Sequence, residues 1–397
     1  MSRVLVLGAG LMGPAIAGDL VRYGIAGEVV VADADPERVR RAVEKAEARK
    51  AGIESGVNVR GKVLDLGNRR ALVREMREAD VVAGAYPVAM VREVTEAAIE
   101  AGTHLCDLTG SAEGFNVFDY HEAAASAGIV ILPGCGLAPG LTNILAGQGA
   151  ARLGGAKEGV LYVGGLPLNP LPPLGYRVVF SLDTVIDEYV APALVVRDGE
   201  TAEVPALDGL EELTFPEPVG RCEAFYTYGL GTLAWTGREL GFRDLSEKTV
   251  RYPGHRDKVL FLRECGFFSR EPVDIDGTTV VPRKLAAAVL APLLARGGEA
   301  DVSVLRVVVK AGEEGWVFEM VDHYDPATQT TSMARTTGYT CSIIAGLVLR
   351  GLIEGPGVAP LERVFTASSL YGELRQELGR RGIVIRERRL GAAPAPR

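Results

Sequence analysis

The sequence predicts an α/β protein built from two parts, a doubly wound parallel sheet and then an α+β domain with a mixed or antiparallel sheet. Two observations carry this prediction. In residues 1–135, short and almost continuously apolar runs alternate with helical patterns, which is typical of a parallel sheet covered by helices on both faces. After residue 135, two-residue Asp-Gly turns separate β-rich segments, and such turns indicate hairpins with antiparallel pairing.

The first part has six apolar runs, and each of the first five is followed by a segment of helical character. We expect strands at Arg3–Leu7, Glu28–Ala32, Gly61–Leu64, Val81–Gly84, His104–Cys106 and Ile129–Leu132. The helices are expected at Leu11–Tyr23, Pro36–Lys50, Arg69–Arg77, Val88–Ala101 and Val117–Ala127. Proline in the first turn of the second helix supports its start, because proline is favoured there.

The second part contains hairpin signals. Asp198-Gly199 and Asp276-Gly277 are the turn dipeptides, and two long strands, Val302–Lys310 and Trp316–His323, flank a short turn. The proline-rich run 165–173 predicts an extended covering loop.

A strongly apolar helix at Tyr339–Leu352 suggests that the chain returns to its first part. We therefore expect a dinucleotide-binding domain at 1–135, completed by a segment at about 336–390. A domain for substrate binding and dimerisation is expected at 136–335.

Composition excludes several classes of function. The 397 residues include 43 basic and 51 acidic side chains, so nucleic acid is not an expected partner, because phosphate binding needs a concentrated basic patch. The longest apolar stretches, such as Ile343–Leu349, fall short of the ~18 residues of a membrane span, and no membrane partner is expected. Five scattered cysteines without CxxC spacing predict a cytoplasmic protein without a disulfide framework or metal site.

The strongest local motif is the string Gly8-Ala9-Gly10-Leu11-Met12-Gly13, which follows a buried strand and opens a helix. In a Rossmann dinucleotide-binding unit the three glycines allow a tight turn, approach of a pyrophosphate and close packing of helix on strand. Asp33 ends the next strand and would accept hydrogen bonds from ribose hydroxyls. Its charge would repel a 2′-phosphate, and no arginine follows it, so the sequence favours NAD over NADP.

Two later strand ends are also expected to contact the dinucleotide, because ligands bind at the carboxyl ends of parallel strands. Asp65 and Leu66 follow the third strand, where the adenine packs, and the alternative for Asp65 is a turn aspartate. Ala85, Tyr86 and Pro87 follow the fourth strand, near the nicotinamide ribose.

Beyond these motifs, specific strings run through most of the chain. They are His104-Leu-Cys-Asp107-Leu-Thr-Gly110, Pro133-Gly-Cys-Gly136-Leu-Ala-Pro139-Gly140-Leu-Thr-Asn143, Gly164-Gly-Leu-Pro167, Pro172-Pro-Leu-Gly-Tyr176, Arg251-Tyr-Pro-Gly-His255 and Thr336-Thr-Gly-Tyr339. With them the sequence resembles the saccharopine dehydrogenase-like oxidoreductases, and among these the lysine 6-dehydrogenases most. The resemblance implies a homodimer or higher homo-oligomer that acts on the C–N bond of a small amino acid with NAD(P).

The resemblance leaves the substrate open. The leading expectation is oxidation of the ε-amine of lysine to the semialdehyde, which cyclises to piperideine-6-carboxylate, with release of ammonia. The alternatives are a saccharopine or carboxynorspermidine dehydrogenase and a non-catalytic NAD-binding protein. After Gly110 this chain has Ser111-Ala112-Glu113, whereas saccharopine-forming relatives place an acid directly after the glycine, which favours the first expectation.

Amine oxidation needs a proton acceptor that works near neutral pH. His255 is the leading candidate, with a helix-capping histidine as the alternative. Asp107, at the carboxyl end of the fifth strand, is expected to hold the substrate ammonium or to be a turn residue. Cys135, between two glycines, is expected beside the nicotinamide or as a small packed side chain.

Substrate contacts are expected from Asn143, Tyr176, Arg177 and Thr337. Asn143 lies near the start of a helix whose first N–H groups are free to receive an anion. An amino-acid carboxylate is usually held by an arginine fork. Arg221, Arg251 and Arg335 stay open as alternatives to Arg177.

Overall fold

The structure, a computed structural model, describes residues 1–52, 55–110, 114–178, 182–296, 300–353 and 355–391. In chain order, the strands in these ranges are β1 (Arg3–Leu7), β2 (Glu28–Asp33), β3 (Asn58–Val63), β4 (Val81–Gly84), β5 (His104–Asp107), β6 (Val130–Pro133), β7 (Glu158–Pro167), β8 (Ala193–Arg197), β9 (Glu200–Val204), β10 (Glu211–Phe215), β11 (Gly220–Tyr226), β12 (Asp244–Arg251), β13 (Val273–Ile275), β14 (Thr278–Val280), β15 (Asp301–Ala311), β16 (Glu314–His323), β17 (Gly357–Val358) and β18 (Arg386–Leu390). The helices are α1 (Gly13–Arg22), α2 (Pro36–Ala48), α3 (Arg69–Met76), α4 (Val91–Ala101), α5 (His121–Ser126), α6 (Leu141–Leu153), α7 (Leu182–Val190), α8 (Leu233–Thr236), α9 (His255–Glu264), α10 (Pro282–Leu294), α11 (Ser332–Leu349), α12 (Leu361–Val364) and α13 (Ser368–Arg380).

The chain divides into two compact units. Unit 1 comprises Met1–Gln148, Gly231–Leu233 and Ala334–Val384, and unit 2 comprises Gly149–Leu230, Ala234–Met333 and Ile385–Arg397. The boundary at Gln148 lies inside α6, whereas the predicted domain boundary follows residue 135. The reason is packing, since the first turns of α6 are fully buried. The end also differs, because β18 pairs with β16 of unit 2.

Unit 1 is a seven-stranded parallel sheet in the order β17-β6-β5-β4-β1-β2-β3. The strand order reverses between β1 and β4, so the carboxyl ends of those two strands form the switch point at which such sheets bind ligands. The inner strands are mostly apolar, and all five residues of β1 are buried, as expected for strands covered on both faces. The predicted doubly wound fold is confirmed.

A buried ion pair fixes the last helix of unit 1 to its first. The Arg381 Nε donates to both oxygens of Asp19 at 2.9 Å, and the Arg381 guanidinium lies 3.9 Å from the centre of the Tyr23 ring. Both charged side chains are almost completely buried. Removing either partner would leave an uncompensated charge in the interior, which is strongly destabilising.

Unit 2 holds a nine-stranded mixed sheet with the main path β10-β11-β12-β7-β15-β16-β18, and off this path β8 pairs with β12 and β9 pairs with β8. The β12–β7 pair is parallel, and the other pairs are antiparallel. The predicted second domain is therefore confirmed in its fold class. Antiparallel hairpins occur at both Asp-Gly dipeptides.

One prediction in this sheet is wrong. The start of the proline-rich run, residues 165–167, is the end of the central strand β7 and not a covering loop. β7 pairs with β15 as far as Pro167 opposite Asp301, and Leu166 is fully buried. Proline is tolerated there because it is the last residue of the strand.

None of the helices in the described ranges is long and apolar enough to cross a membrane. In the same part of the chain, no group of three or more histidine, cysteine or acidic side chains has an arrangement that could hold a metal ion. All five cysteines are free thiols, and four of them are buried.

Candidate active site

The glycine-rich loop of unit 1 has the geometry of a phosphate cradle. Gly8 adopts a φ of +100°, and a Cβ there would lie 2.2 Å from the carbonyl oxygen of Ala85. A Cβ on Gly13 would lie 1.8 Å from the carbonyl oxygen of Gly8, so both positions exclude a side chain. Gly10 has no atom within 4 Å of a Cβ position, which leaves open space on the side where a pyrophosphate approaches the backbone.

The surroundings of this loop fit an anionic dinucleotide. α1 begins at Gly13, and no side chain caps its N-terminus, so the positive end of the helix dipole is available for phosphate. One oxygen of Asp33 accepts from the Ala9 N–H at 2.8 Å, and the other accepts from the Asp35 N–H at 2.9 Å. The Asp33 carboxylate is thereby held beside the glycine-rich loop. Leu11, in the same loop, has an exposed side chain.

The other predicted cofactor residues divide into turn and core positions. Asp65 accepts from the N–H of Gly67 at 2.9 Å, which is the turn arrangement given above as its alternative. Leu66 packs against the core of unit 1. Ala85 continues the strand register by donating its N–H to Leu7 at 2.8 Å, and Pro87 precedes a short 3₁₀ turn.

Tyr86, Asp107 and Cys135 come together after β4, β5 and β6. Asp107 is buried, and its two carboxylate oxygens accept the N–H groups of Thr109 and Gly110 at 3.0 Å each. Burial raises the pKa of Asp107, and these hydrogen bonds oppose the rise. Burial also raises the pKa of Tyr86 well above its usual range, and the Asp107 carboxylate adds to this. These hydrogen bonds fit the turn role that was given above as the alternative for Asp107.

Cys135 lies in a cluster of three buried thiols with Cys106 and Cys341. Its Sγ donates to the carbonyl of Leu132 at 3.2 Å. Burial raises the pKa of Cys135 well above its usual range, so the side chain is a neutral thiol at physiological pH. Since the thiolate is the reactive form of cysteine, this burial favours a small packed side chain over a reactive thiol, and the expected position beside the nicotinamide stays a prediction.

Asn143 belongs to a buried hydrogen-bond chain that sequence reasoning did not foresee. Its side-chain oxygen accepts from the Gly140 N–H at 3.2 Å, and its amide lies 3.5 Å from the hydroxyl of Thr232. Thr232 in turn donates to Glu362 at 2.9 Å. Thr337 lies near the same turn, because its methyl group would be 3.2 Å from a Cβ on Gly136.

His255 is buried in unit 2 at the first position of α9. Its Nδ1 lies 3.0 Å from the carbonyl of Leu174, and its Nε2 lies 2.9 Å from the hydroxyl of Tyr189. A carbonyl can only accept, so Nδ1 carries the proton and the neutral ring accepts at Nε2. Burial, followed by the positive charge of Arg251, lowers the pKa of His255 to about 3. This geometry favours a structural role over acid/base work.

Arg251 joins His255 to further polar groups. Its Nε donates to the Tyr189 hydroxyl at 3.4 Å, its guanidinium lies 4.5 Å from the centre of the Tyr176 ring, and its Nη2 is 3.6 Å from Glu188. Burial raises the pKa of Glu188 to about 7, against the opposing charge of Arg251. Arg251 is thus a fixed positive charge beside a carboxyl group that titrates near neutral pH.

Glu247 completes this group of side chains. It is buried, accepts from the hydroxyl of Thr227 at 2.8 Å, and lies on the same strand face as Arg251. Burial raises its pKa to about 8, and the charge of Glu188 adds to this. We call these side chains the unit 2 cluster; its members are Tyr176, Glu188, Tyr189, Glu247, Arg251 and His255.

Arg177, the predicted carboxylate fork, lies outside the cluster contacts. Its Nη1 is buried and has no hydrogen-bond partner in the described part of the chain. Its charge lowers the pKa of the nearby Asp301, although burial raises that pKa overall. Ser111, Ala112 and Glu113, used above to separate substrates, lie outside the described residues.

Sequence reasoning found Tyr176 and His255 of the cluster, but did not select Glu188, Glu247 or Tyr189. For Glu247 a signal was present: it is four residues before Arg251 in β12, and alternate residues of a strand share a face. Glu188 lies in a helix with other acidic residues, and no local sequence feature distinguishes it from a carboxylate that faces solvent.

Comparison with known proteins places these features in one family. Residues 4–132 match the saccharopine dehydrogenase NADP binding domain, and residues 136–383 match the saccharopine dehydrogenase C-terminal domain. The chain belongs to the saccharopine dehydrogenase family. The resemblance drawn from the sequence strings is therefore confirmed at the level of the family.

Two curated relatives and one solved structure are similar to this family member. The L-glutamate-forming, NADP(+) saccharopine dehydrogenase of Schizosaccharomyces pombe is 25% identical, over 87% of this chain and 92% of its own. The α-aminoadipic semialdehyde synthase of Arabidopsis thaliana is 27% identical, over 56% of this chain but only 22% of its own length. The apo L-glutamate-forming saccharopine dehydrogenase of Saccharomyces cerevisiae matches with a TM-score of 0.75 and 19% identity, covering 98% of this chain and 100% of that one; this likeness shows the fold.

Family membership settles the class of chemistry. This saccharopine dehydrogenase family member is an oxidoreductase that acts on an amino-acid C–N bond with a pyridine nucleotide. The loop around Gly10 is a part of unit 1 that fits the nucleotide, because it offers open space, a helix N-terminus without a side-chain cap and the Asp33 carboxylate.

Proposed function

We propose that the enzyme oxidises the ε-amine of lysine with NAD and releases ammonia. In this reaction the neutral amine carbon loses a hydride, which the nicotinamide accepts when bound. The nitrogen lone pair forms the C=N bond of an iminium ion. Water then adds to that bond, and ammonium and the semialdehyde are the products, so that atoms and charges balance.

The observation that carries this proposal is the charge of the unit 2 cluster. It has one guanidinium, Arg251, together with two carboxyl groups, Glu188 and Glu247, and a histidine held neutral. Lysine carries one carboxylate and two ammonium groups at neutral pH. Saccharopine carries three carboxylates, whereas the cluster offers a single guanidinium to hold such a group. The cluster therefore supports a substrate with one carboxylate.

NAD is proposed as the cofactor, on the evidence of Asp33. Its carboxylate is held by two backbone N–H groups next to the cofactor loop, and a second carboxylate, Asp35, follows within two residues. Both negative charges would disfavour the 2′-phosphate of NADP. The matched family domain and the S. pombe relative are both named for NADP, so this preference is the finer part of the proposal.

Saccharopine dehydrogenase activity is the second candidate. The observation in its favour is the S. pombe relative, named as the L-glutamate-forming enzyme, which matches almost over its full length. In that reaction the bond to the nitrogen of a secondary amine is cleaved, and glutamate leaves in place of ammonia.

A substrate panel tests the proposal. NADH formation is followed by its absorbance with lysine, ornithine, saccharopine and other amino acids, one at a time. We expect lysine to give a kcat/KM at least ~10-fold above that of saccharopine, a difference of about 1.4 kcal/mol in transition-state binding. A preference for saccharopine by the same factor would replace the first candidate by the second.

A further inference from the structure

The unit 2 cluster has one member that is partly exposed to solvent. The Glu188 side chain is 23% exposed, whereas that of Arg251 is 4% exposed, and the other four members are buried. A ligand can therefore reach Glu188 without displacing the groups packed beneath it.

The packed members of the cluster are not suited to exchange protons with a ligand. Both ring nitrogens of His255 are engaged, the Tyr189 hydroxyl lies between His255 and Arg251, and Glu247 is held by Thr227. A guanidinium does not release its proton in proteins. Within the cluster, Glu188 alone combines access with a titratable carboxyl group.

From this arrangement we infer that Glu188 binds the reacting ammonium group of the substrate and takes its proton. The ammonium nitrogen loses one proton, the carboxylate gains it, and a neutral amine and a carboxylic acid result. The neutral amine then has the lone pair that forms the C=N bond. Arg251 acts as a positioning residue, because its fixed charge favours the ionised form of Glu188.

The electrostatic surroundings support this role. Burial raises the pKa of Glu188 to about 7, Arg251 lowers it, and Asp187 raises it. A proton acceptor with a pKa near 7 takes a proton from an ammonium group of pKa ~10.4 far more readily than an ordinary carboxylate of pKa ~4.3 does.

The other charged groups around α7 form ion pairs and hydrogen bonds with partners other than Glu188. Asp187 pairs with Arg283 at 2.7 Å and with Arg270 at 3.1 Å. Arg263 of α9 donates to the backbone carbonyl of Tyr189 at 3.3 Å. Among the described residues, Arg251 is the cation that an ion pair joins to Glu188.

The test is the pH profile of kcat/KM in the full-length enzyme. For the wild type we expect activity to rise with pH through about 7, as Glu188 ionises. The E188Q variant should lose ~10²–10⁴-fold in kcat/KM, together with that acidic limb. The E188D variant keeps the carboxylate and should recover part of the rate and the limb.

Asp187→Asn is the matched control, since it removes a carboxylate from the same helix and is not part of the cluster. It should keep the acidic limb and shift it to slightly lower pH, because one raising charge is gone. An E188Q enzyme that keeps the wild-type rate and limb would overturn the inference. So would a wild-type profile that is flat between pH 6 and 8, whatever the stability of the variants.

The inference rests on the proposed function, and the two can fail separately. If saccharopine is the substrate, the same profiles are measured with it, because a secondary amine must also lose a proton. A second readout needs no turnover: lysine binding at pH 7 is measured calorimetrically in buffers of different ionisation enthalpy. We expect the wild type to release protons on binding and E188Q not to do so, and equal proton release from both would overturn the role of Glu188.

Discussion

His255 shows how neighbours decide the chemistry of a side chain. A histidine after Pro-Gly at a helix start is a reasonable acid/base candidate from sequence, since histidine ordinarily titrates near neutral pH. In the fold both ring nitrogens are occupied, and burial lowers the pKa to about 3. The residue is therefore better placed to hold Tyr189 and residue 174 in position than to exchange protons.

His255→Ala tests this interpretation. The variant would leave the Tyr189 hydroxyl and the Leu174 carbonyl without their partner, at a cost of ~1–3 kcal/mol in the free energy of unfolding. We expect an earlier denaturation midpoint and an unchanged acidic limb in the pH profile. If the variant had normal stability but lacked the acidic limb of the pH profile and was ~100-fold slower, the result would support acid/base catalysis by His255.

Asp33 is the second residue whose role can be measured directly. We expect the wild type to bind NAD at least ~10-fold more tightly than NADP, about 1.4 kcal/mol. Asp33→Asn removes the charge while keeping the size of the side chain, so the ratio should narrow, chiefly through tighter NADP binding. Titration of both cofactors checks this, and equal wild-type affinities would contradict the NAD preference.

At the scale of elements, the turn between β6 and α6 is the segment that we expect to line the site. Gly134 and Gly140 have positive φ angles, whereas Gly136 does not. A Cβ at Gly136 would lie 3.2 Å from the Thr337 methyl group, which demands a shift of only tenths of an ångström. Because the φ of Gly136 is not positive, its backbone conformation does not itself require glycine.

Gly136→Ala should raise the Michaelis constant for the amino acid, the dinucleotide or both, with little change in melting temperature, if ligands pass close to this turn. Gly140→Ala is the matched control. It combines a φ of +143° with a Cβ only 2.1 Å from the Gly136 carbonyl oxygen, and should melt early. Unchanged Michaelis constants in the Gly136→Ala variant would contradict the expectation that this turn lines the site.

Many elements of both units could be predicted because their signals are local. Apolar runs indicated β1, β2, β4 and β6 of unit 1, and Asp-Gly dipeptides indicated two hairpins of unit 2. The end of β7 was missed, because glycine and proline in residues 165–167 indicate a loop until the pairing partner β15 is known. The burial of α6, inside which the unit boundary at Gln148 lies, likewise depends on distant residues.

Site residues show the same division. The cofactor loop is contiguous in sequence, and its geometry follows from three glycines and a helix start. The unit 2 cluster instead gathers α7, β12 and the start of α9. The elevated pKa values of Glu188 and Glu247 arise from burial, which no local pattern of acidic residues reveals. The expected homodimer and cytoplasmic location stay predictions.

For the whole molecule, Glu247 predicts a dependence of stability on pH. Burial raises its pKa from an ordinary 4.5 to about 8, so the folded state keeps a proton that the unfolded state releases between these values. The stability due to this group is full below pH 4.5 and is lost as pH rises through 8. Glu247→Gln avoids the loss and keeps an acceptor for Thr227.

We expect Glu247→Gln to unfold at a temperature close to that of the wild type at pH 5. At pH 9 it should be more stable, by on the order of 5 kcal/mol. Glu212→Gln, an exposed carboxyl group in the same sheet, is the control and should show no such divergence. If Glu247→Gln and the wild type differed in stability by the same amount at pH 5 and at pH 9, the result would contradict burial of an ionisable group at this position.

The most direct test of the central claim is the ratio of ammonia to NADH produced from lysine by the wild-type enzyme. Oxidation of the ε-amine with hydrolysis of the C=N bond predicts one ammonia for each NADH, with a product that cyclises. NADH formation from saccharopine with release of glutamate, and no ammonia from lysine, would contradict the account and assign the chain to secondary-amine chemistry.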